Sequence, residues 1–211
     1  MSEVPVVEVT AVGRATCVPD QVHVRLAVEV LTLSVDASLR GAAAAVEQLL
    51  AVLEQAGVGP ADRRTSGLSV EQHWVEDRSL PRPHAATYRL DVVVRDLDAA
   101  GLLVQRAGEQ VGDALRVHGF DLGVADSSQQ QEQARREAVA VCRARAQTLA
   151  EAAGAHLGPL VRLREGTGDH QLVLHESAAS GRGGRMAVEG GTLEVAVAVT
   201  GVWQLEAAAA V

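Results

Sequence analysis

Residues 88–104 read Tyr-Arg-Leu-Asp-Val-Val-Val-Arg-Asp-Leu-Asp-Ala-Ala-Gly-Leu-Leu-Val, and their periodicity changes once, at Asp96. Before it, Tyr88, Leu90, Val92 and Val94 alternate with Arg89, Asp91, Val93 and Arg95, the period of a strand with one buried face. After it, Ala100, Leu103, Val104, Ala107 and Val111 recur at helical spacing. Asp96 has the short acceptor side chain of an N-cap, and Asp98 falls in the positive first turn. A strand therefore runs into a helix with almost no loop, and Gly112 ends the helix.

Similar units lie on both sides. Val7 and Val9 begin a short strand that reaches a turn near Gly13, and Pro19-Asp20 is a second turn signal. Val22, Val24, Leu26, Val28 and Val30 alternate with His23, Arg25, Ala27 and Glu29, which predicts a strand. Ser34 or Asp36 caps a helix whose apolar stripe is Leu39, Ala42, Ala43, Val46, Leu49, Leu50 and Leu53, and Gly57 stops it. Thr65 to Val75 reads as a strand and Glu76 to Pro83 as a hairpin loop. Leu115 to Val124 is a further strand, with His118, Phe120, Leu122 and Val124 on one face.

Ser128 and Gln131 form a capping-box pattern before a long helix that runs to Gly154. Its predicted stripe is Ala138, Val141, Cys142, Ala146, Leu149 and Ala153. Leu160 to Arg164 is a short strand, and residues 166–191 read as a flexible loop in which Leu172, Val173 and Leu174 pair briefly. Leu193, Val195, Val197 and Val199 alternate in a final strand that extends to Leu205, before a frayed tail at 207–211. The order from Val22 to Val124 is β-α-β-β-α-β, the split unit that packs two helices on one face of an antiparallel sheet. The expected class is α+β: one domain over 1–211, with a third long helix and C-terminal strands extending a largely antiparallel sheet.

Composition narrows the function. The 211 residues are 47% hydrophobic but 2% aromatic, so Val, Leu and Ala must build the core. All 19 basic residues are arginine, the signature of a GC-rich genome, and the net charge of −8 argues against a nucleic-acid or anionic-membrane partner. No run approaches the roughly 20 apolar residues that span a bilayer, and the first residues lack a secretory pattern, which predicts a cytoplasmic protein. Cys17 and Cys142 lack CxxC spacing and read as free thiols.

The chemistry-bearing residues do not assemble into a known constellation. His170, His175 and Glu176 share one loop, and His73 and His84 flank the hairpin, but neither group supplies the ligand count of a zinc site. His118 reads as a partly buried, hydrogen-bonded side chain. Gly181-Arg182-Gly183-Gly184-Arg185 is a single arginine-glycine fragment without aromatic interleaving. Ser66 and Ser69 lack a nucleophile elbow. Cys142 falls on a buried helix stripe, whereas Cys17 lies near a turn beside Arg14, where a redox-sensing thiol is the alternative reading. Asp91 and Glu29 on strand faces are candidates to pair in a cleft. No cofactor or metal is expected.

Five motifs in order carry a resemblance. They are Val12-Gly13 with Pro19-Asp20-Gln21-Val22, then Thr65-Ser66-Gly67-Leu68-Ser69-Val70, then Tyr88-Arg89 through Asp98 and Gly101. Phe120, Ala134-Arg135, Ala138, Ala144-Arg145-Ala146, Leu149-Ala150, Gly154 and Leu157-Gly158 follow, and Glu189-Gly190 precedes Leu193. This pattern resembles the SIMPL-domain family, which includes bacterial stress-associated periplasmic proteins. The family's opening Gly-x-Gly is here Gly13-Arg14-Ala15. The resemblance implies an α+β fold and a tendency to form ring- or channel-like homo-oligomers, with no catalytic residues. A non-catalytic, oligomerising scaffold or interaction module linked to stress tolerance is thus read ahead of an enzyme. The alternative is a small-ligand-binding protein or enzyme with a cleft beside the 166–191 loop, lined by Arg162, Arg164, His170 or His175.

Overall fold

A computed structural model describes residues 4–74, 81–166, 172–175 and 191–207. In chain order they form β1 (Val6–Cys17), β2 (Gln21–Thr32), α1 (Val35–Gln55), β3 (Arg63–Gln72), β4 (His84–Val94) and α2 (Leu97–Val111). There follow β5 (Leu115–Gly123), α3 (Ser128–Ala152), β6 (Ala155–Glu165), β7 (Leu172–His175) and β8 (Thr192–Ala207). The fold is α+β, and every ladder is antiparallel. The chain divides into two compact units, one within residues 19–123 and the other built from residues before 19 and after 123.

The inner unit is the split β-α-β-β-α-β arrangement, with strand order β3-β4-β2-β5. Val22, Val24, Leu26 and Val28 of β2 and Leu90, Val92 and Val94 of β4 point into one core against α1 and α2. Alternation works here because one sheet face is covered by helices and the other is open, so successive side chains take opposite environments. The strand-to-helix junction forms as expected. The Asp96 carboxylate accepts from the amides of Asp98 (2.9 Å) and Ala99 (3.2 Å), and Gly112 leaves the helix at φ +63°. All five predicted stripe residues of α2 are buried.

The phase of α1 is rotated from the expected one. Leu39 and Ala43 are exposed, while Ser38, Ala45 and Val52 join Ala42, Val46, Leu49 and Leu53 inside. Buried Ser38 is satisfied locally: its hydroxyl donates to the His84 carbonyl at 2.7 Å and accepts from the Thr32 amide at 3.1 Å. A polar group buried with partners on both adjoining strands pins the helix start to the sheet. In β5 a register shift opposite Arg25 and Leu26 interrupts the alternation, and His118 there is exposed rather than partly buried. The bulge inserts one extra residue and turns that side chain out.

The outer unit corrects four expectations. Gly13 is not a turn: β1 runs on through it to Cys17. A Cβ at Gly13 would overlap the Ala134 carbonyl and the Ala138 amide and lie 2.9 Å from the Ala138 Cα, so the glycine lets α3 lie directly on β1. The third helix and terminal strands also make a separate sheet, β1-β8-β6 with β7 on β8, instead of lengthening the first one. The buried stripe of α3 is Ala134, Ala138, Cys142, Ala146 and Ala150, a strict four-residue repeat of small side chains. Leu149 and Ala153 are exposed, because only small residues fit at such close approach. The helix start is one residue off the expected box: Gln131 reaches the Ser127 hydroxyl (3.0 Å), and the Asp126 carboxylate accepts the Ser128 amide (2.9 Å). Backbone and hydroxyl hydrogen bonds from Ser128 hold the Asp126 carboxyl below its ordinary range.

Candidate functional site

The open face of the inner sheet carries a cleft of about 470 Å³. Its floor follows from the register. Arg64 of β3 lies opposite Asp91 of β4, and Asp91 lies opposite Arg25 of β2, so one row across three strands alternates in charge. In the next row Val93, His23 and Asp121 are neighbours. Opposite Arg25 stands Gly119, where a Cβ would sit 2.7 Å from Arg25 Nη2. The missing side chain leaves room for that guanidinium to fold over β5 onto Asp121 at 3.0 Å.

Each carboxylate of the cleft has a guanidinium. Asp91 accepts from Arg64 (2.9 Å) and from the Ser66 hydroxyl (3.1 Å), and Asp62 accepts from Arg95 (2.6 Å). Arg63 turns away to Glu54 at 2.8 Å. The Arg64 hydrogen bond holds the Asp91 carboxyl below its ordinary range; partial burial acts the other way, and Ser66 and the charges of Arg64 and Arg25 reinforce the lowering. Asp62 in turn raises the Arg95 guanidinium. Each pair has at least one well-exposed partner, so these pairs order side chains more than they stabilise the fold. They leave Asp91 ionised near neutrality, with an ionisation far from the near-neutral value that suits a general acid or base.

A depressed carboxyl pKa adds stability above its unfolded value, and that stability is lost as the pH falls through the folded value. The Asp91 contribution is therefore present above about pH 3.9 and disappears on further acidification. Asp91→Asn is expected to flatten the acid limb of a plot of urea midpoint against pH, and to leave the shape of the curve between pH 6 and 8 unchanged. Parallel acid limbs for parent and variant would show that the Arg64 pair does not form.

The residues singled out by sequence are dispersed. Ser66 joins the cleft through Asp91, but Glu29 pairs with Arg116 (3.2 Å) and not with Asp91. Cys17 is buried, not exposed at a turn, and its thiol faces the Leu193 carbonyl at 3.6 Å. Cys142 is buried and its thiol donates to the Val9 carbonyl at 3.1 Å. The His73 amide donates to the Pro83 carbonyl (2.7 Å), just beyond the β3–β4 ladder. Arg162 and Arg164 are exposed on β6. His170, Glu176, the Gly181–Arg185 run and the 208–211 tail lie outside the described residues, and His175 is described only as backbone in β7. Among the described residues no group of three His, Cys, Asp or Glu side chains is placed to hold a metal, and no helix is long and apolar enough to cross a membrane.

The cleft residues His23, Arg25, Asp62, Arg64 and Asp121 went unmarked in the sequence. For His23, Arg25, Arg64 and Asp121 the only signal was an outward position on strands that the register makes neighbours, and Asp62 sits in the short 3-10 turn just before β3. With the two sheets and α3 in place, residues 7–203 match one family over nearly the whole chain, the SIMPL family, described as "Protein of unknown function (DUF541)". The chain belongs to the SIMPL family. Among curated proteins no match is found. The SIMPL match spans both compact units, so the arrangement of β1, the inner split unit and α3 to β8 falls within one family region.

Proposed function

We propose that this SIMPL-family chain is a non-catalytic interaction module that assembles with copies of itself, serving a cytoplasmic role linked to stress tolerance. The observation that carries self-assembly is the apolar end of the inner sheet. Leu31, Leu33, Val35 and Leu39 are 38–64% exposed within nine residues, where β2 passes into α1. Trp74, 65% exposed, lies just past β3 at the same end, since Gln72 pairs with His84 and His84 with Thr32. Leucine and tryptophan gathered on a surface, in a chain with few aromatics, make the kind of anchor cluster that drives association. The non-catalytic part is supported by the cleft, whose carboxylates are engaged by arginine and whose central Asp91 is driven away from proton-transfer range.

Light scattering coupled to size exclusion tests the assembly. The full chain is expected to elute as a multiple of 22.0 kDa, and Leu33→Glu combined with Trp74→Glu to elute as a monomer with unchanged circular dichroism. A parent chain that stays monomeric at high concentration would sink the reading.

A further inference from the structure

We propose that β1 and α3 form a docking groove for an extended peptide segment of another protein, one that carries an aliphatic side chain and a carboxylate. β1 is an edge: it pairs with β8 on one side, and among the described residues no strand lies on the other. The direction of its main-chain groups follows from two bonds. The Pro5 carbonyl accepts from the Leu205 amide, so odd positions face β8. The Arg14 amide leaves the ladder for Glu137 Oε2 at 2.6 Å, so even positions face outward. An antiparallel ladder alternates in this way at every residue.

Two outward groups are covered by α3. Glu137 takes the Arg14 amide, and Arg145 Nη1 makes a long contact of 3.4 Å to the Thr10 carbonyl. Between and beyond them, the amides of Glu8, Thr10 and Val12 and the carbonyls of Glu8 and Val12 have no partner among the described residues. A row of main-chain donors and acceptors spaced at every second residue is complementary to one thing, another strand.

Beside this edge is a groove of about 480 Å³ between β1 and α3. Val9, Val141, Ala144 and Leu149 give it apolar walls, and Arg145 and Thr148 stand among them. Leu149, which helical spacing assigned to the buried stripe, is 51% exposed and forms part of the wall. A strand added to β1 would direct alternate side chains towards this groove, where an aliphatic one is preferred. Arg145 is the charged residue of the lining, and its single long contact leaves guanidinium donors for a carboxylate.

The same geometry rules out a second β1 as the occupant in an antiparallel two-fold pairing. Paired strands lie about 4.8 Å apart, whereas packed helices need roughly 8–10 Å between axes. α3 lies so close on β1 that Gly13 has no room for a Cβ, so two such helices would collide. A bare extended segment has no helix to collide. This surface is distinct from the apolar end of the inner sheet, and the proposal does not depend on self-assembly.

The test is selection of displayed random linear peptides on the full chain, followed by synthesis of the most enriched one and anisotropy titration. Enriched peptides are expected to share an alternating pattern with an aliphatic and an acidic residue. Binding should weaken about tenfold or more in Leu149→Glu and in Thr10→Pro, and exchange of the Glu8, Thr10 and Val12 amides should slow on binding. Thr10→Pro removes an outward amide and spares the main-chain bonds to β8, losing there only the side-chain contact to Thr200; should it fail to fold, the exposed site of Leu149→Glu carries the comparison. Leu33→Glu with Trp74→Glu is expected to bind like the parent, which separates this site from the assembly surface. No enrichment, or enriched peptides that bind Leu149→Glu as tightly as the parent, would overturn the proposal.

Discussion

Gly13→Ala is expected to destabilise the outer unit by about 3 kcal/mol, the upper end of over-packing costs. The added methyl meets main chain, the Ala134 carbonyl and the Ala138 amide, and not a side chain that could swing aside. Relief requires α3 to lift from β1, and with it the small-residue stripe that buries Val9, Ala11 and Trp203 against Cys142 and Ala146. Gly108→Ala makes the opposite control. That glycine sits inside α2 with open space around its missing side chain, so alanine there should stabilise by roughly 0.5–1 kcal/mol through helix propensity. Denaturant titration followed through Trp203 in a Trp74→Phe background reads the first change, and circular dichroism the second. A neutral Gly13→Ala would mean that α3 does not lie on β1.

Leu49→Ala is expected to cost about 2–5 kcal/mol, the range for truncating a fully buried leucine and leaving a cavity. Leu49 is 1% exposed and packs in the shared core of α1, α2 and the inner sheet. Arg40, exposed and paired with Asp36 one turn earlier, should tolerate alanine within roughly 0.5 kcal/mol. Equal shifts in urea midpoint at both positions would show that α1 turns a different face inward.

The inner unit was legible in the sequence because its signals are local. Each strand has one covered and one open face, and Asp96 and Gly112 mark the ends of α2 by side-chain chemistry that any sequence displays. The outer unit was less legible, for two physical reasons. Its packing relies on alanine and glycine, which carry little hydrophobic contrast, so Leu149 attracted the stripe that Ala134 and Ala150 in fact occupy. Gly13 looked like a turn because glycine serves both tight turns and close backbone approach, and only the position of α3 separates the two. Of the cleft only Asp91 and Ser66 stood out in the sequence, and Asp91 was matched there with Glu29, which pairs elsewhere. Apart from Asp62 in the turn before β3, the cleft's charges are ordinary outward residues of β2, β3, β4 and β5, and nothing but the register joins Arg64, Asp91 and Arg25 into one row. His118 was misread because a one-residue bulge in β5 inverts the alternation that assigned it inward.

The pairing of β1 with β8 also sets a timetable for a nascent chain. Thr10 and Thr200, hydrogen-bonded across the ladder, are 190 residues apart in sequence. Translation at roughly 5–20 residues per second separates the appearance of these two strands by about 10–40 s. During that interval every residue of the inner sheet emerges, and its strands can pair among themselves. The first strand has no such option, because its neighbour in the ladder is made last. For that interval β1 lacks both its ladder partner and, until α3 emerges, the helix that covers Gly13, so its main-chain groups stand open on two edges instead of one. A chaperone that shields extended apolar strands would meet β1 well before the sheet it belongs to exists.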